Sequence, residues 1–135
     1  MICIPIVGAS MPKALEQIIS AEKIADILEL RLDLIDSPDL KVLLNVVSKP
    51  VIVTNRTKLD GGQFRGTDDE RLQALHDALA AGADYVDIEV STPRELLQPF
   101  LEGHETSKII LSYHDFSHTP EDLNPLYETM DALPG

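Results

Sequence analysis

Five short apolar runs, each followed by a helix-like segment, are the feature that most restricts the fold of this chain. The runs span residues 2–7, 28–34, 50–54, 84–90 and 108–113. They are rich in Val, Ile and Leu, which is typical of strands in a parallel sheet. Because the links are short, consecutive strands are expected to be parallel and joined by right-handed crossovers. The sequence therefore predicts an α/β fold of repeated strand–helix units.

Capping residues mark the starts of several helices. Thr67 is followed three residues later by Glu70, which forms the pattern of a capping box. Similar patterns at Thr92 and Thr119 predict that two later helices begin there. Gly82 suits a left-handed residue that ends the helix begun at Thr67. Two further helices are predicted over about residues 11–23 and 37–47.

The second apolar run carries more charge than a strand in such a sheet normally does. Strict alternation places Glu29, Arg31 and Asp33 on one face and leucines on the other. Helices usually cover both faces of a parallel strand, and a charge buried without a partner or solvent is costly. A polar ligand cavity and a solvated sheet edge would each explain these charges.

Polar residues with the same parity recur on three later strands. They are Thr54 and Arg56, then Asp87 and Glu89, then Ser112 and His114. In a barrel, active sites are built from the carboxyl ends of several strands, whereas a doubly wound sheet binds its ligand at one switch point. The pattern favours a TIM-type barrel. A complete barrel needs about 250 residues, so we expect the 135 residues to form a single domain of about five of the eight units.

Composition restricts the partners of the chain. The formal net charge is -12, and only 11 Lys and Arg residues are spread along the sequence, which argues against nucleic acid. The sequence has neither an apolar stretch of the roughly 20 residues that span a membrane nor the pattern of a signal peptide. We therefore expect a cytoplasmic protein without a membrane partner. Cys3 is the only cysteine and lies in an apolar run, which predicts a buried thiol.

Two arginines and one histidine are the strongest candidates for chemistry. Arg31 and Arg56 can each bind a carboxylate or hydroxyls in a bidentate manner, and Glu29 and Asp87 could hold the guanidinium groups in place. An internal salt-bridge network without a ligand would use the same residues. His114 ends the fifth strand and titrates near neutrality, so it could act as a general base or as a hydrogen-bonded core histidine.

Metal and cofactor sites are not indicated. No His or Cys pair has the spacing of metal ligands, so no metal or other cofactor is expected. The loop over residues 55–66 contains Gly61, Gly62, Arg65 and Gly66 and could hold a phosphate, but it lacks the P-loop pattern. A mobile loop is the favoured interpretation.

Four segments together carry a family resemblance. Residues 29–33, 56–62, 87–89 and 112–116 read Glu-Leu-Arg-Leu-Asp, Arg-Thr-Lys-Leu-Asp-Gly-Gly, Asp-Ile-Glu and Ser-Tyr-His-Asp-Phe. In this order and spacing, the chain resembles type I 3-dehydroquinate dehydratases, the Schiff-base enzymes of the shikimate pathway of aromatic amino acid biosynthesis. The resemblance extends from the first strand to the end of the chain.

The resemblance implies a (β/α)8 barrel lyase that converts 3-dehydroquinate to 3-dehydroshikimate with loss of water. In that family a lysine forms an imine with the substrate ketone, and a histidine takes and returns protons. Glu29, Arg31 and Arg56 would then contact the substrate, and His114 would be the general base and acid. Asp60 stands where the family has a glutamate that pairs with this histidine. Asp33, Asp87 and Ser112 would support the site.

The same resemblance places the family's Schiff-base lysine on a sixth strand, beyond residue 135. We therefore expect this chain to be inactive by itself. The alternative is a non-catalytic anion-binding or assembly module that keeps Arg31 and Arg56 as a clamp. A five-unit sheet would also leave the edges of the first and fifth strands unpaired, which predicts a homo-oligomer formed through these edges.

Overall fold

Strands and helices alternate along the chain in the computed structural model, which describes residues 1–105 and 108–134. The strands are β1 (Cys3–Ile6), β2 (Ile27–Arg31), β3 (Val51–Thr54), β4 (Tyr85–Glu89) and β5 (Ile109–Ser112). The α-helices are α1 (Met11–Ala21), α2 (Leu40–Val46), α3 (Asp68–Ala80), α4 (Arg94–Glu102) and α5 (Asn124–Asp131). The predicted series of five strand–helix units is confirmed.

The five strands form one parallel sheet in the order β1-β2-β3-β4-β5. Each strand lies beside the next one in the sequence, so the described residues contain no reversal of strand order and no switch point of a doubly wound sheet. This is the order of successive strands in a (β/α)8 barrel. The strand order of the described residues therefore agrees with the predicted barrel and not with a doubly wound sheet.

The hydrophobic core lies between the sheet and the helices. Leu28 and Leu30 of β2, Val53 of β3 and Ile88 of β4 are fully buried on this side. Helices α1, α2 and α3 supply Ile18, Leu43 and Leu75, which belong to the same buried cluster. Leu28 and Leu30, the first two of the alternating leucines predicted for the second strand, thus form the outer, helix-covered face of β2.

The opposite face of the sheet, called the inner face below, carries the polar residues. The register places Arg31 beside Thr54, Thr54 beside Asp87, and Glu89 beside Ser112. Directly paired residues of parallel strands point to the same side of a sheet. Four strands, β2 to β5, therefore bring their polar side chains together, as the parity of the sequence predicts.

Strand β2 is shorter than predicted. It ends at Arg31, and the following residues form a single 3-10 turn (Leu32–Leu34), so Asp33 does not lie on a strand. The turn brings the Asp33 carboxylate back to the Arg31 guanidinium, with hydrogen bonds of 2.9 and 2.8 Å. Ion pairing at the end of the strand replaces the predicted alternation.

Two predicted helix starts and one predicted burial were wrong. The Thr92 hydroxyl accepts a hydrogen bond from Arg71 and donates one to the Glu89 carbonyl, so it does not cap α4, which begins at Arg94. Helix α5 begins at Asn124 rather than near Thr119. Cys3 is exposed, because β1 is an edge strand of the described sheet.

Within residues 1–105 and 108–134, no helix combines the length and the apolar character needed to cross a membrane.

The capping box of α3 provides a test of the local structure. The Thr67 hydroxyl accepts from the Glu70 backbone N–H at 3.2 Å, and the Glu70 carboxylate accepts from the Thr67 backbone N–H at 2.8 Å. We expect Thr67→Ala to lower the free energy of unfolding by about 1 kcal/mol, as measured by urea denaturation. Thr67→Ser keeps the hydroxyl and should retain most of the stability. An alanine variant as stable as the parent would contradict this role.

Candidate active site

The guanidinium group of Arg56 is the centre of a polar cluster on the inner face. Arg56 follows β3 and is 6% exposed. Its Nη1 donates to Ser112 Oγ at 2.9 Å and approaches His114 Nδ1 at 3.2 Å. The same nitrogen lies 2.9 Å from Asp87 Oδ1 and 3.3 Å from Glu89 Oε1. Residues from three consecutive strands therefore meet at one positive charge.

Hydroxyl groups orient the carboxylates that surround Arg56. The Ser112 hydroxyl donates to Asp87 Oδ1 at 2.8 Å while its oxygen accepts from Arg56. The Thr54 hydroxyl donates to Glu29 Oε1 at 2.7 Å, and this oxygen lies 3.9 Å from Arg56 Nη2. Glu29 of β2 is thus held by Thr54 of β3, and Asp87 of β4 is held by Ser112 of β5, so each carboxylate is oriented by the next strand of the sheet.

Arg31 has its own carboxylate partner. Nε and Nη2 form a bidentate pair with Asp33, whose side chain has no exposed surface. Asp33 also accepts the backbone N–H of Gln63 at 3.0 Å. Asp33 thus orients Arg31 and ties the end of β2 to the loop that follows β3. About 18% of the Arg31 side chain remains exposed beside the cluster.

The contact with Arg56 defines the protonation state of His114. A guanidinium group can only donate, so His114 Nδ1 accepts and the ring proton of the neutral imidazole lies on Nε2. Burial and the adjacent positive charge of Arg56 lower the pKa of His114, while Asp87 and Asp60 act in the opposite direction. The neutral imidazole is therefore favoured in the folded chain.

Asp60 lies near His114 but is held by other groups. Its Oδ1 is 3.8 Å from His114 Nδ1, which is beyond hydrogen-bond distance. Its Oδ2 accepts from the Ser91 hydroxyl at 2.7 Å and from the Thr57 hydroxyl at 3.0 Å. Ser91 and Thr57 were not identified from the sequence. Ser91 lies just after the fourth strand and Thr57 lies near the start of the polar loop. These positions were the only indication in the sequence that the two hydroxyls belong to the site.

A buried ion pair lies behind Arg56. Arg71 of α3 has no exposed surface and donates to Glu89 Oε2 at 2.5 Å and to Thr92 Oγ1 at 2.7 Å. Its Nε donates to Asp68 at 3.1 Å. Burial raises the pKa of the Glu89 carboxyl, and the charges of Arg71 and Arg56 oppose that shift.

Arg71 is a buried charge that was not predicted from the sequence. Leu75 and Ala78 follow Arg71 by four and seven residues, and all three share the buried face of α3. A positive charge at a core position of a helix indicates a buried acidic partner, because an unpaired buried charge is costly. The helical spacing could therefore have identified Arg71, although it could not have identified Glu89 as its partner.

Two glycines shape the loop over residues 55–66, which was predicted to be mobile. Gly61 has a φ of +78° and lies directly against the Phe116 ring, so a side chain there would collide with the ring. Gly62 packs equally closely on the backbone of Arg56. Together with the contact from Gln63 to Asp33, these approaches connect the loop to the ends of both β2 and β5.

No three His, Cys, Asp or Glu side chains are grouped so as to hold a metal ion anywhere in residues 1–105 and 108–134. The cluster is instead suited to an organic anion with hydroxyl groups. Arg31 and Arg56 supply guanidinium N–H donors, Glu29 and Asp87 supply acceptors, and His114 supplies a group that titrates.

Comparison with known proteins gives a consistent family. The model of the type I 3-dehydroquinase family matches residues 2–134. The 3-dehydroquinate dehydratase of Methanococcus maripaludis is 37% identical over 123 residues, which cover 90% of this chain and 56% of that protein. The enzyme of the same name from Methanothermobacter thermautotrophicus is 39% identical, covering 88% of this chain and 54% of that protein. The chain thus spans little more than half the length of these curated relatives.

Solved structures agree with the sequence relatives. The 3-dehydroquinate dehydratase of Aquifex aeolicus superposes with a TM-score of 0.70 at 27% identity and covers 96% of this chain and 62% of that one. The Enterococcus faecalis enzyme gives a TM-score of 0.75 at 25% identity, with coverage of 88% and 55%. The fold is therefore part of a TIM-type barrel.

The environment of His114 predicts a pH-dependent stability. Because the folded chain lowers the pKa of His114, the unfolded chain binds more protons at pH values just below about 6.5. The contribution of His114 to the free energy of unfolding should be present above that pH and lost as the pH falls through its folded pKa. NMR should show His114 titrating below its value in the urea-unfolded chain.

The variant His114→Asn tests that linkage directly. Its free energy of unfolding should fall less steeply than that of the parent over the same pH interval. An equal slope in both proteins would exclude His114 as the source.

Proposed function

This chain belongs to the type I 3-dehydroquinase family, and from that premise we propose that its polar cluster binds 3-dehydroquinate and moves the protons of a dehydratase reaction. The convergence of Arg56, Ser112 and His114, with Nη1 of Arg56 within 3.2 Å of both partners, is the observation that carries the proposal. These three residues come from the carboxyl ends of β3 and β5, where barrel enzymes carry their catalytic groups.

In this proposal the two arginines bind the carboxylate and hydroxyl groups of the substrate. Arg31 presents a partly exposed guanidinium that Asp33 fixes on one side. Arg56 is more deeply buried, so its interaction with an anion is less screened by solvent. Glu29, held by Thr54, would accept from a substrate hydroxyl. A planar, bidentate donor recognises a carboxylate with defined geometry, which a lysine in the same place does not.

His114 would be the general base and acid. Its neutral imidazole can accept a proton near neutral pH, but Arg56 occupies Nδ1 in this arrangement. A bound anion that attracts the Arg56 guanidinium would release Nδ1 for proton transfer. Asp60 would then stabilise the protonated ring after an approach of about 1 Å, since it is 3.8 Å from Nδ1 and its side chain is one methylene shorter than glutamate.

We further propose that this 135-residue chain binds the substrate without completing the reaction. The chain has six lysines, at positions 13, 23, 41, 49, 58 and 108. Lys49 and Lys108 precede β3 and β5 and so lie at the end of the sheet opposite Arg56. All six belong to the described residues, and none of them forms a hydrogen bond or ion pair with the polar cluster. Imine formation requires an amine within reach of the substrate ketone.

Calorimetry with 3-dehydroquinate tests the binding site. We expect saturable binding to the parent chain and about tenfold weaker binding to Arg56→Lys, because lysine keeps the charge but loses the bidentate hydrogen bonds. Arg94→Lys changes an exposed arginine at the start of α4 and is the matched control. Absence of binding to the parent, or equal effects of the two variants, would refute the proposed site.

Borohydride reduction tests the missing covalent step. After the chain is incubated with 3-dehydroquinate and reduced, intact mass spectrometry should show no stoichiometric adduct, since no lysine has a hydrogen bond or ion pair with the cluster. A stoichiometric adduct would show that one of the six lysines forms the imine, and peptide mapping would identify it.

We also propose that the chain associates with a second copy through its sheet edges. In the described residues β1 pairs only with β2, and β5 pairs only with β4, so each outer edge has unpaired backbone groups. Exposed apolar side chains adjoin β1: Ile2, which directly precedes the strand, is 53% exposed, and Ile24, which lines a groove with Ile4 and Ile6, is 68% exposed. An exposed edge beside apolar surface favours strand pairing with another chain.

Light scattering tests the association. We expect a mass above that of one 14.9 kDa chain, and we expect Ile2→Lys to shift the distribution toward the monomer by adding a charge at the edge. Ile19→Lys alters an isoleucine of α1 that is 64% exposed and serves as the control. A monodisperse parent monomer would contradict the proposal.

A further inference from the structure

Glu89 occupies an unusual position between two arginines. Its Oε2 accepts from Arg71 Nη1 at 2.5 Å, whereas its Oε1 lies 3.3 Å from Arg56 Nη1. Glu89 has no exposed surface, and Oε1 is a buried oxygen without a hydrogen bond from any described residue. One carboxylate therefore connects a fully buried arginine of α3 with the arginine at the centre of the polar cluster.

We propose that Arg71 is a positioning residue that holds the Glu89 carboxylate and thereby keeps the Arg56 guanidinium directed toward Ser112 and His114. The inference rests on the proposed function, because it gives Arg71 a role in substrate binding through Arg56. Arg71 itself would not touch the substrate, since it is fully buried.

The contacts of Arg71 explain how it restrains Glu89. Nη1 binds Glu89, Nη2 binds the Thr92 hydroxyl, and Nε binds Asp68. The Thr92 hydroxyl in turn donates to the backbone carbonyl of Glu89 at 2.6 Å. All three nitrogens of the Arg71 guanidinium therefore have a partner. Arg71 also links the Glu89 carboxylate, which it binds directly, to the Glu89 backbone carbonyl, which it reaches through Thr92.

Without Arg71, the Glu89 carboxylate would be free to turn toward Arg56. A carboxylate beside a guanidinium favours a bidentate pair, which would occupy two nitrogens of Arg56. Arg71 holds Oε2 away, so only Oε1 faces Arg56, and Nη1 stays within reach of Ser112 Oγ and His114 Nδ1. Loss of Arg71 would leave Glu89 buried with one cationic neighbour, and it would turn toward Arg56 or take up a proton.

The variant Arg71→Lys tests the proposal with two measurements. Lysine keeps the positive charge but cannot bind Glu89, Thr92 and Asp68 together. We expect about tenfold weaker binding of 3-dehydroquinate by calorimetry. We also expect NMR to show that the pKa of His114 rises, because Arg56 moves away from Nδ1. The second readout needs no ligand.

Two further variants separate positioning from stability. Leu75→Ala shortens a fully buried side chain of the same helix face, four residues from Arg71, and should lower stability without changing the His114 titration or the affinity. Thr92→Val removes the hydroxyl that binds Arg71 Nη2. We expect it to weaken 3-dehydroquinate binding about threefold and to raise the pKa of His114, as Arg71→Lys does but to a smaller extent. This variant provides the test if Arg71→Lys does not fold.

A double-mutant cycle with Arg56→Lys shows whether Arg71 acts through Arg56. The effect of Arg71→Lys on the His114 titration should largely disappear in that background. An unchanged titration and affinity in folded Arg71→Lys, or equal changes in Leu75→Ala, would overturn the inference. If the parent chain does not bind 3-dehydroquinate but the His114 titration responds as expected, the proposed function fails and the positioning role of Arg71 stands.

Discussion

The matching of guanidinium groups to carboxylates is the interaction on which the inner face of this sheet depends. Arg56 alone is within 4 Å of three carboxylates, and Arg31 and Arg71 each have a bidentate or buried partner. Such pairs add little net stability compared with apolar packing, whereas removal of one partner leaves an uncompensated buried charge. The pairs therefore act mainly to select one arrangement of the polar side chains. That arrangement leaves donors and acceptors directed toward the open side of the sheet.

Much of the fold follows from local sequence patterns. The apolar runs, the capping box at Thr67 and the shared face of Thr54, Asp87 and Ser112 depend on neighbours within a few residues, and these features were predicted correctly. Local patterns failed where a distant side chain competed for the same group. Thr92 has the pattern of a helix cap, but Arg71, 21 residues away, binds its hydroxyl. Alternation continues through Asp33, but its attraction to Arg31 and to Gln63 ends the strand first.

The site shows the same division between what is local and what is not. Parity places a side chain on a face but does not identify the atom that it contacts. The family resemblance directs attention to a pair between His114 and Asp60, yet His114 Nδ1 lies closer to Arg56 than to Asp60. Asp60 is drawn instead to the hydroxyls of Ser91 and Thr57. The distances from His114 Nδ1 to Arg56 and to Asp60 are 3.2 and 3.8 Å, so they differ by less than 1 Å. Sequence patterns do not predict interatomic distances with that precision.

The position of the hydrophobic core affects which mutations the protein can accept during evolution. The apolar cluster lies wholly between the sheet and its helices, while the charged groups occupy the other side of the same strands. Alternate residues of one strand thus serve separate purposes, and mutations at inner positions leave most of the apolar packing intact. Arg71 and Glu89 are the exception, since their ion pair joins the helix layer to the inner face. The polar residues of the inner face can therefore change while the scaffold is kept, except where that buried pair connects the two layers.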